Sequence, residues 1–228
     1  MKLAILPVTP YQQNCSLVVC PETNRAALID PGGEVDRLLA AVAKSGATLE
    51  KVLVTHGHAD HCGGAAEVRE RAGVPIEGPQ REDSFWIEGL ERKGAAAGVI
   101  GARSFVPDRW LDGGETVTVG AIRLEVRHCP GHTPGHVVFA ARDHGVAFVG
   151  DVLFAGSIGR TDFPRGDFDT LVRSITEQLW TLGDQTQFVP GHGPMSTFGD
   201  ERRTNPYVGD EALGGWRARQ GPAGDGAP

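Results

Sequence analysis

The chain has 228 residues, 40% hydrophobic and 22% charged, with a formal net charge of -7; that length fits one domain with a sizeable buried core. The acidic balance leaves no broad basic surface to neutralise a phosphate backbone, so nucleic acid is not an expected partner. No apolar run approaches the ~18 to 20 residues that span a bilayer, and the apolar start at residues 1–7 is too short for a signal peptide, so no membrane partner and a cytoplasmic address are expected.

Residues 3–8, 16–19 and 25–29 read as strands, the last ending on the turn signal Asp30-Pro31-Gly32-Gly33. Val35, Leu38, Leu39 and Val42 recur at helical spacing and stop at Gly46, which predicts an amphipathic helix with a glycine C-cap. Residues 51–55 form a short apolar strand that runs into the histidine-rich stretch 56–61, and residues 65–72 a helix closed by Gly73 and Pro75. Residues 81–92 are compatible with one helix, and 94–104 form a small-residue connection.

From residue 116 strands return. Ile122, Leu124 and Val126 alternate with Arg123, Glu125 and Arg127 as a half-buried strand, and 137–140 and 146–149 are two more, joined by Asp143-His144-Gly145 as a hairpin turn. Phe168, Leu171, Val172, Ile175 and Leu179 mark a second amphipathic helix with Asp167 as N-cap, and 187–189 is a last strand leading into Pro190-Gly191-His192-Gly193. Residues 1–215 are expected to form a single domain, and 216–228, rich in Gly, Ala and Pro and without periodicity, a disordered tail. Strands with a helix, twice over, predict the α/β class with two sheets and helices outside them.

Positions 55–61 read Thr-His-Gly-His-Ala-Asp-His, immediately after an apolar strand. Imidazole and carboxylate are the usual ligands of zinc or iron, so this cluster predicts a metal site. Neighbours in one loop cannot all face one ion, and three distant residues at glycine-flanked strand ends complete the supply: His132, Asp151 and His192. Five histidines and two aspartates suffice for two ions sharing one carboxylate. Cys15, Cys20, Cys62 and Cys129 have neither the density nor the spacing of a disulfide scaffold and read as reduced thiols.

The set His56, His58, Asp60, His61, His132, Asp151 and His192 resembles the ligand set of the metallo-β-lactamase superfamily. Within it the chain most resembles hydroxyacylglutathione hydrolases of the glyoxalase II type, in a short bacterial subgroup without the long helical C-terminal domain. The resemblance runs from Pro7-Val-Thr-Pro-Tyr-Gln-Gln-Asn-Cys15 and Asp30-Pro-Gly-Gly33 through Pro107-Asp-Arg-Trp-Leu111 and Cys129-Pro-Gly-His-Thr-Pro-Gly-His136. It continues through Gly159-Arg-Thr-Asp-Phe-Pro-Arg-Gly166 to Glu201-Arg-Arg-Thr-Asn-Pro-Tyr207.

That resemblance implies a four-layer αβ/βα sandwich. It also implies two divalent metal ions, zinc foremost with iron or manganese as alternatives: His56, His58 and His132 on one, Asp60, His61 and His192 on the other, Asp151 bridging. The implied reaction is cleavage of the thioester of S-lactoylglutathione-like substrates by a metal-bridging hydroxide, with Asp60 and Asp151 as the catalytic carboxylates and Arg160 as a substrate contact. Asp30 is expected to orient a ligand histidine or cap a turn, His136 to be a core or surface histidine, Cys62 to pack, and His128 and His144 to face solvent. A second family with similar motifs, the persulfide dioxygenases, implies instead one iron held by His56, His132 and Asp151.

Overall fold

The computed structural model of the chain describes residues 1–220. Its first half forms a five-stranded sheet in the order β1 (Lys2–Val8), β2 (Gln13–Val19), β3 (Arg25–Ile29), β4 (Thr48–Leu53), β5 (Ile76–Glu77). The first pairings are antiparallel, and β3, β4 and β5 run parallel through helical crossovers. Between them stand α1 (Val35–Ser45), α2 (Ala59–Cys62) and α3 (Ala65–Ala72), and α4 (Ser84–Ile87) and α5 (Leu90–Ala96) follow β5.

The second half builds a six-stranded sheet from β6 (Thr116–Val119), β7 (Ile122–His128), β8 (Val137–Ala141), β9 (Val146–Gly150), β12 (Gln187–Pro190) and β13 (Ser196–Thr197). Their spatial order is β13-β12-β9-β8-β7-β6, while β10 (Leu153–Phe154) and β11 (Ser157–Ile158) make a separate small hairpin. Helices α6 (Phe168–Ser174), α7 (Phe198–Thr204) and α8 (Asp210–Gln220) complete the described chain.

The period-2 alternation of the strands explains the layering. On β2 and β3, Leu17, Val19, Ala26 and Leu28 pack outward onto α1 and α3, whereas Val18, Ala27 and Ile29 face the other sheet. On β8 and β9 the same split puts Phe139 and Phe148 between the sheets and Val138, Ala140, Ala147 and Val149 against α6 and its neighbours. These strands of both sheets are therefore apolar on two faces, and need a helical layer to cover the outer one. The result is the predicted four-layer αβ/βα sandwich. All four cysteines are free and buried, and no helix among the described residues is long and apolar enough to cross a membrane.

Several expectations change. The single helix over 81–92 is a 3-10 turn (Arg81–Asp83), then α4, then α5, broken at Gly89, whose φ of 72° is left-handed. Helix α8 runs through residues 216–220, which were expected to be disordered; residues 221–228 of that stretch lie outside the described residues. His128 is half-buried on β7 rather than solvent-facing, with its Nε2 2.8 Å from the Pro134 carbonyl.

Candidate metal centre

Strands β4, β9 and β12 end at one rim of the sandwich, and the loop between β7 and β8 reaches the same place. The loop after β4 and the short helix α2 supply His56, His58, Asp60 and His61; the other three segments supply Asp151, His192 and His132. Three nitrogens converge in one group: His58 Nδ1 lies 3.1 Å from His56 Nε2 and 3.0 Å from His132 Nε2. Asp60, His61 and His192 form a second group, with His192 Nε2 3.3 Å and His61 Nε2 3.8 Å from Asp60 Oδ2. Asp151 stands between the groups, its Oδ1 3.2 Å from His61 Nε2 and its Oδ2 3.6 Å from both His132 Nε2 and His192 Nε2.

The backs of the rings fix which nitrogen faces inward. A carbonyl oxygen only accepts, so His132 Nδ1 donates to Arg160 O at 2.7 Å and His192 Nδ1 to Tyr11 O at 3.1 Å. Asp30 does the same for His61, its Oδ2 2.8 Å from Nδ1, while also accepting from the Thr55 amide and hydroxyl. Because the Thr55 hydroxyl spends its proton on Asp30, its oxygen is free to accept from His56 Nδ1 at 3.0 Å. Each of these four rings therefore turns its Nε2 towards the centre, the orientation that metal-binding histidines take from outer partners.

Charge follows the same plan. Burial, reinforced by neighbouring imidazoles, pushes His56 well below its ordinary pKa and His58 down to about 3, and burial also lowers His132. These three rings are neutral at pH 7, as ligands must be. At His61 burial works the same way, but the Asp151 and Asp60 carboxylates outweigh it and raise the imidazole well above its usual value. Burial also opposes ionisation of Asp60 and Asp151, yet His61 and its neighbours hold both below the usual carboxylate range.

A metal pair fits this donor set. His61 Nε2 and Asp151 Oδ1 are buried and face each other at 3.2 Å as an ion pair that makes no hydrogen bond. Buried polar atoms left this way are costly unless something else satisfies them. Gly191 shows how tightly the donors are gathered, since a Cβ there would lie 2.0 Å from Asp151 Oδ1 and 2.5 Å from His61 Cε1.

The centre forms the floor of a cavity of about 640 Å³ walled by Tyr11, Trp86, Leu90, Phe154, Ile158 and Phe163. Arg160 lines it too, with its guanidinium over the Phe163 ring and held by both carboxylate oxygens of Asp162 at 2.9 and 2.8 Å. His136 is buried behind the centre, stacked on His56, and accepts from the Asp151 amide at 3.1 Å. Cys62 packs as expected, its thiol donating to His58 O at 3.2 Å. Sequence reasoning missed Trp86 and the buried Asp83, which stand in the segment where helical periodicity fades.

A family model described as "Metallo-beta-lactamase superfamily" matches residues 8–192. The chain is 44% identical over 213 residues to "Hydroxyacylglutathione hydrolase GloC" of Haemophilus influenzae, covering 93% of this chain and 100% of that protein. It is 34% identical over 193 residues to the mitochondrial "Persulfide dioxygenase ETHE1" of Bos taurus, covering 82% of this chain and 68% of that one. Among solved structures, "TTHA1623 in a di-iron-bound form" superposes with a TM-score of 0.81 at 37% identity, covering 90% of this chain and 99% of the other. Fold, donor geometry and these likenesses agree: the chain belongs to the metallo-β-lactamase superfamily and is a metallo-hydrolase of that family.

Proposed function

We propose that the protein hydrolyses thioesters of the S-lactoylglutathione type in the cytoplasm, using two divalent metal ions, zinc foremost. The observation that carries this reading is the convergence of two ligand groups around Asp151 at the floor of an aromatic-walled cavity; the likeness to the Haemophilus influenzae hydrolase supports it. His56, His58 and His132 would hold one ion and Asp60, His61 and His192 the other, with Asp151 shared. Bound there, such a pair supplies Lewis acidity towards an acyl oxygen and lowers the pKa of water.

The chain's own residues do the rest. Asp60, kept ionised by His61 and His192, presents Oδ2 beside the second group and can only accept, so it orients the hydrogens of an attacking water. Tyr11, Trp86, Phe154 and Phe163 enclose the acyl and thiol halves and displace solvent. A departing thiol has a pKa near ~8.5 and leaves as thiolate without a strong acid. Arg160 at the mouth places positive charge where a glutathione carboxylate would reach, with Asp162 as the carboxylate to be displaced.

The test is hydrolysis of S-lactoylglutathione, followed by loss of thioester absorbance, in metal-loaded wild type and Asp151→Ala. Metal-dependent turnover that falls by at least ~100-fold in the variant is expected, since Asp151 serves both ligand groups. Unchanged turnover in Asp151→Ala refutes the reading. The likeness to the persulfide dioxygenase favours one second reading, iron at His56, His132 and Asp151. Oxygen uptake on glutathione persulfide without thioester cleavage would select it.

A further inference from the structure

Asp83 lies outside every motif that the metal assignment uses. It closes the 3-10 turn Arg81–Asp83, its side chain is fully buried, and its carboxylate accepts three hydrogen bonds from two separate loops. Gly57 N donates to Oδ2 at 2.8 Å, the Thr133 hydroxyl to Oδ2 at 2.8 Å, and Gly135 N to Oδ1 at 2.6 Å. The loops also touch its backbone, for a Cβ on Gly135 would lie 2.5 Å from Asp83 N.

The positions of these donors are informative. Gly57 sits between His56 and His58, and Thr133 directly follows His132. One carboxylate thus grips the chain next to all three members of the first ligand group, although they come from segments more than seventy residues apart in sequence. None of its donors adjoins Asp60, His61 or His192. That second group leans on Asp30, 2.8 Å from His61 Nδ1, and on the Tyr11 carbonyl behind His192.

We propose that Asp83 is a positioning residue for one half of the centre: it presets the distance between the His56–His58 loop and the His132 loop, and leaves the Asp60, His61 and His192 half to Asp30. The proposal rests on the metal assignment made above. An ionised carboxylate that satisfies three buried donors has one low-energy arrangement, so the three imidazoles meet an ion with their spacing already set. Without it, two loops must be brought together at the expense of binding.

The experiment is cobalt(II) titration of the full chain, followed by visible absorption and by competition with a chelator. Two backgrounds separate the halves: His192→Ala weakens the second group and leaves the first intact, and His58→Ala does the reverse. Asp83→Asn is expected to weaken cobalt binding about 10- to 100-fold in the His192→Ala chain and to change it less than about twofold in the His58→Ala chain. Thr133→Val, which removes one of the three donors, is expected to give a smaller loss on the same side and serves if Asp83→Asn does not fold. Equal weakening in both backgrounds, or none in either, overturns the proposal. A wild-type chain that binds no cobalt overturns the metal assignment as well, a result distinct from two tight sites indifferent to Asp83.

Discussion

Gly191 precedes His192 at the point where Asp151 and His61 come closest, and any side chain there must displace one of them. Gly191→Ala is expected to lower metal content under equilibrium dialysis by at least ~10-fold, because the ligand shell rather than the core yields. Asp83 gives a prediction of the opposite kind. Burial pushes its carboxyl up to about 6, above the ordinary 3.8. A raised folded-state pKa means that the protonated acid stabilises the fold; this contribution is present in full below about pH 4 and lost as pH rises through about 6. In metal-free protein, urea denaturation of wild type should therefore show stability falling across that window relative to Asp83→Asn, by on the order of 3 kcal/mol at ~1.36 kcal/mol per pKa unit. Parallel pH profiles would refute it. At this scale the sequence was most legible where chemistry is concentrated. Three histidines and an aspartate within six residues announce themselves, and a histidine or aspartate after glycine at a strand end can be paired with them. Asp83 and Trp86 could not be seen, because a single acid or indole carries no pattern until the fold brings its partners to it.

The hairpin of β10 and β11 forms one wall of the cavity through Phe154, Ser157 and Ile158, yet it is only two residues wide. Its support comes from α7. Buried Glu201 accepts from Gly156 N at 2.8 Å, from Ser196 Oγ at 2.6 Å and from Asn205 Nδ2 at 2.9 Å, and Asn205 also donates to Ser157 O at 3.1 Å. Glu201→Ala removes the acceptor of three hydrogen bonds, each bond to a charged acceptor being worth about 1.5 to 3 kcal/mol. Thermal melting should fall, and KM for the thioester should rise several-fold with metal content unchanged; an unaltered KM would mean that the wall stands without α7. Elements with a strong apolar period were readable to within a few residues: β3 and α3 coincide with the segments expected from periodicity and capping, and Asp167 caps α6 through the Thr170 amide. The π turn at Ile175–Leu179 keeps the expected apolar face going past α6. Helices α7 and α8 escaped notice because their sequences, FGDERRT and DEALGGWRARQ, carry few apolar residues to set a period.

Across the whole molecule, the seven proposed ligands divide between the halves: four follow β4 of the first sheet and three belong to loops of the second. Ligands that bind only the folded chain stabilise it by mass action. Stripping the ions with a chelator is expected to lower Tm, and restoring zinc to raise it in proportion to the logarithm of free zinc; an unchanged Tm would mean that the donors do not hold an ion. The two-sheet architecture was legible in the order of elements, strands with a helix twice over, which calls for two sheets with helices outside them. The meeting of the two ligand groups at one rim follows from parallel pairing of β3 with β4 and of β9 with β12, which strand patterns alone do not reveal.

That division has a kinetic reading. An ion that needs donors from both sheets cannot be held by either sheet alone, so it finds its full shell only after the two halves have docked. Metal should then slow unfolding while leaving the refolding rate nearly unchanged, the behaviour of interactions absent from the transition state. A pair of chevron plots with and without zinc would show it in the unfolding arm. Residence time in the native state, rather than speed of reaching it, is what the shared centre at the seam controls.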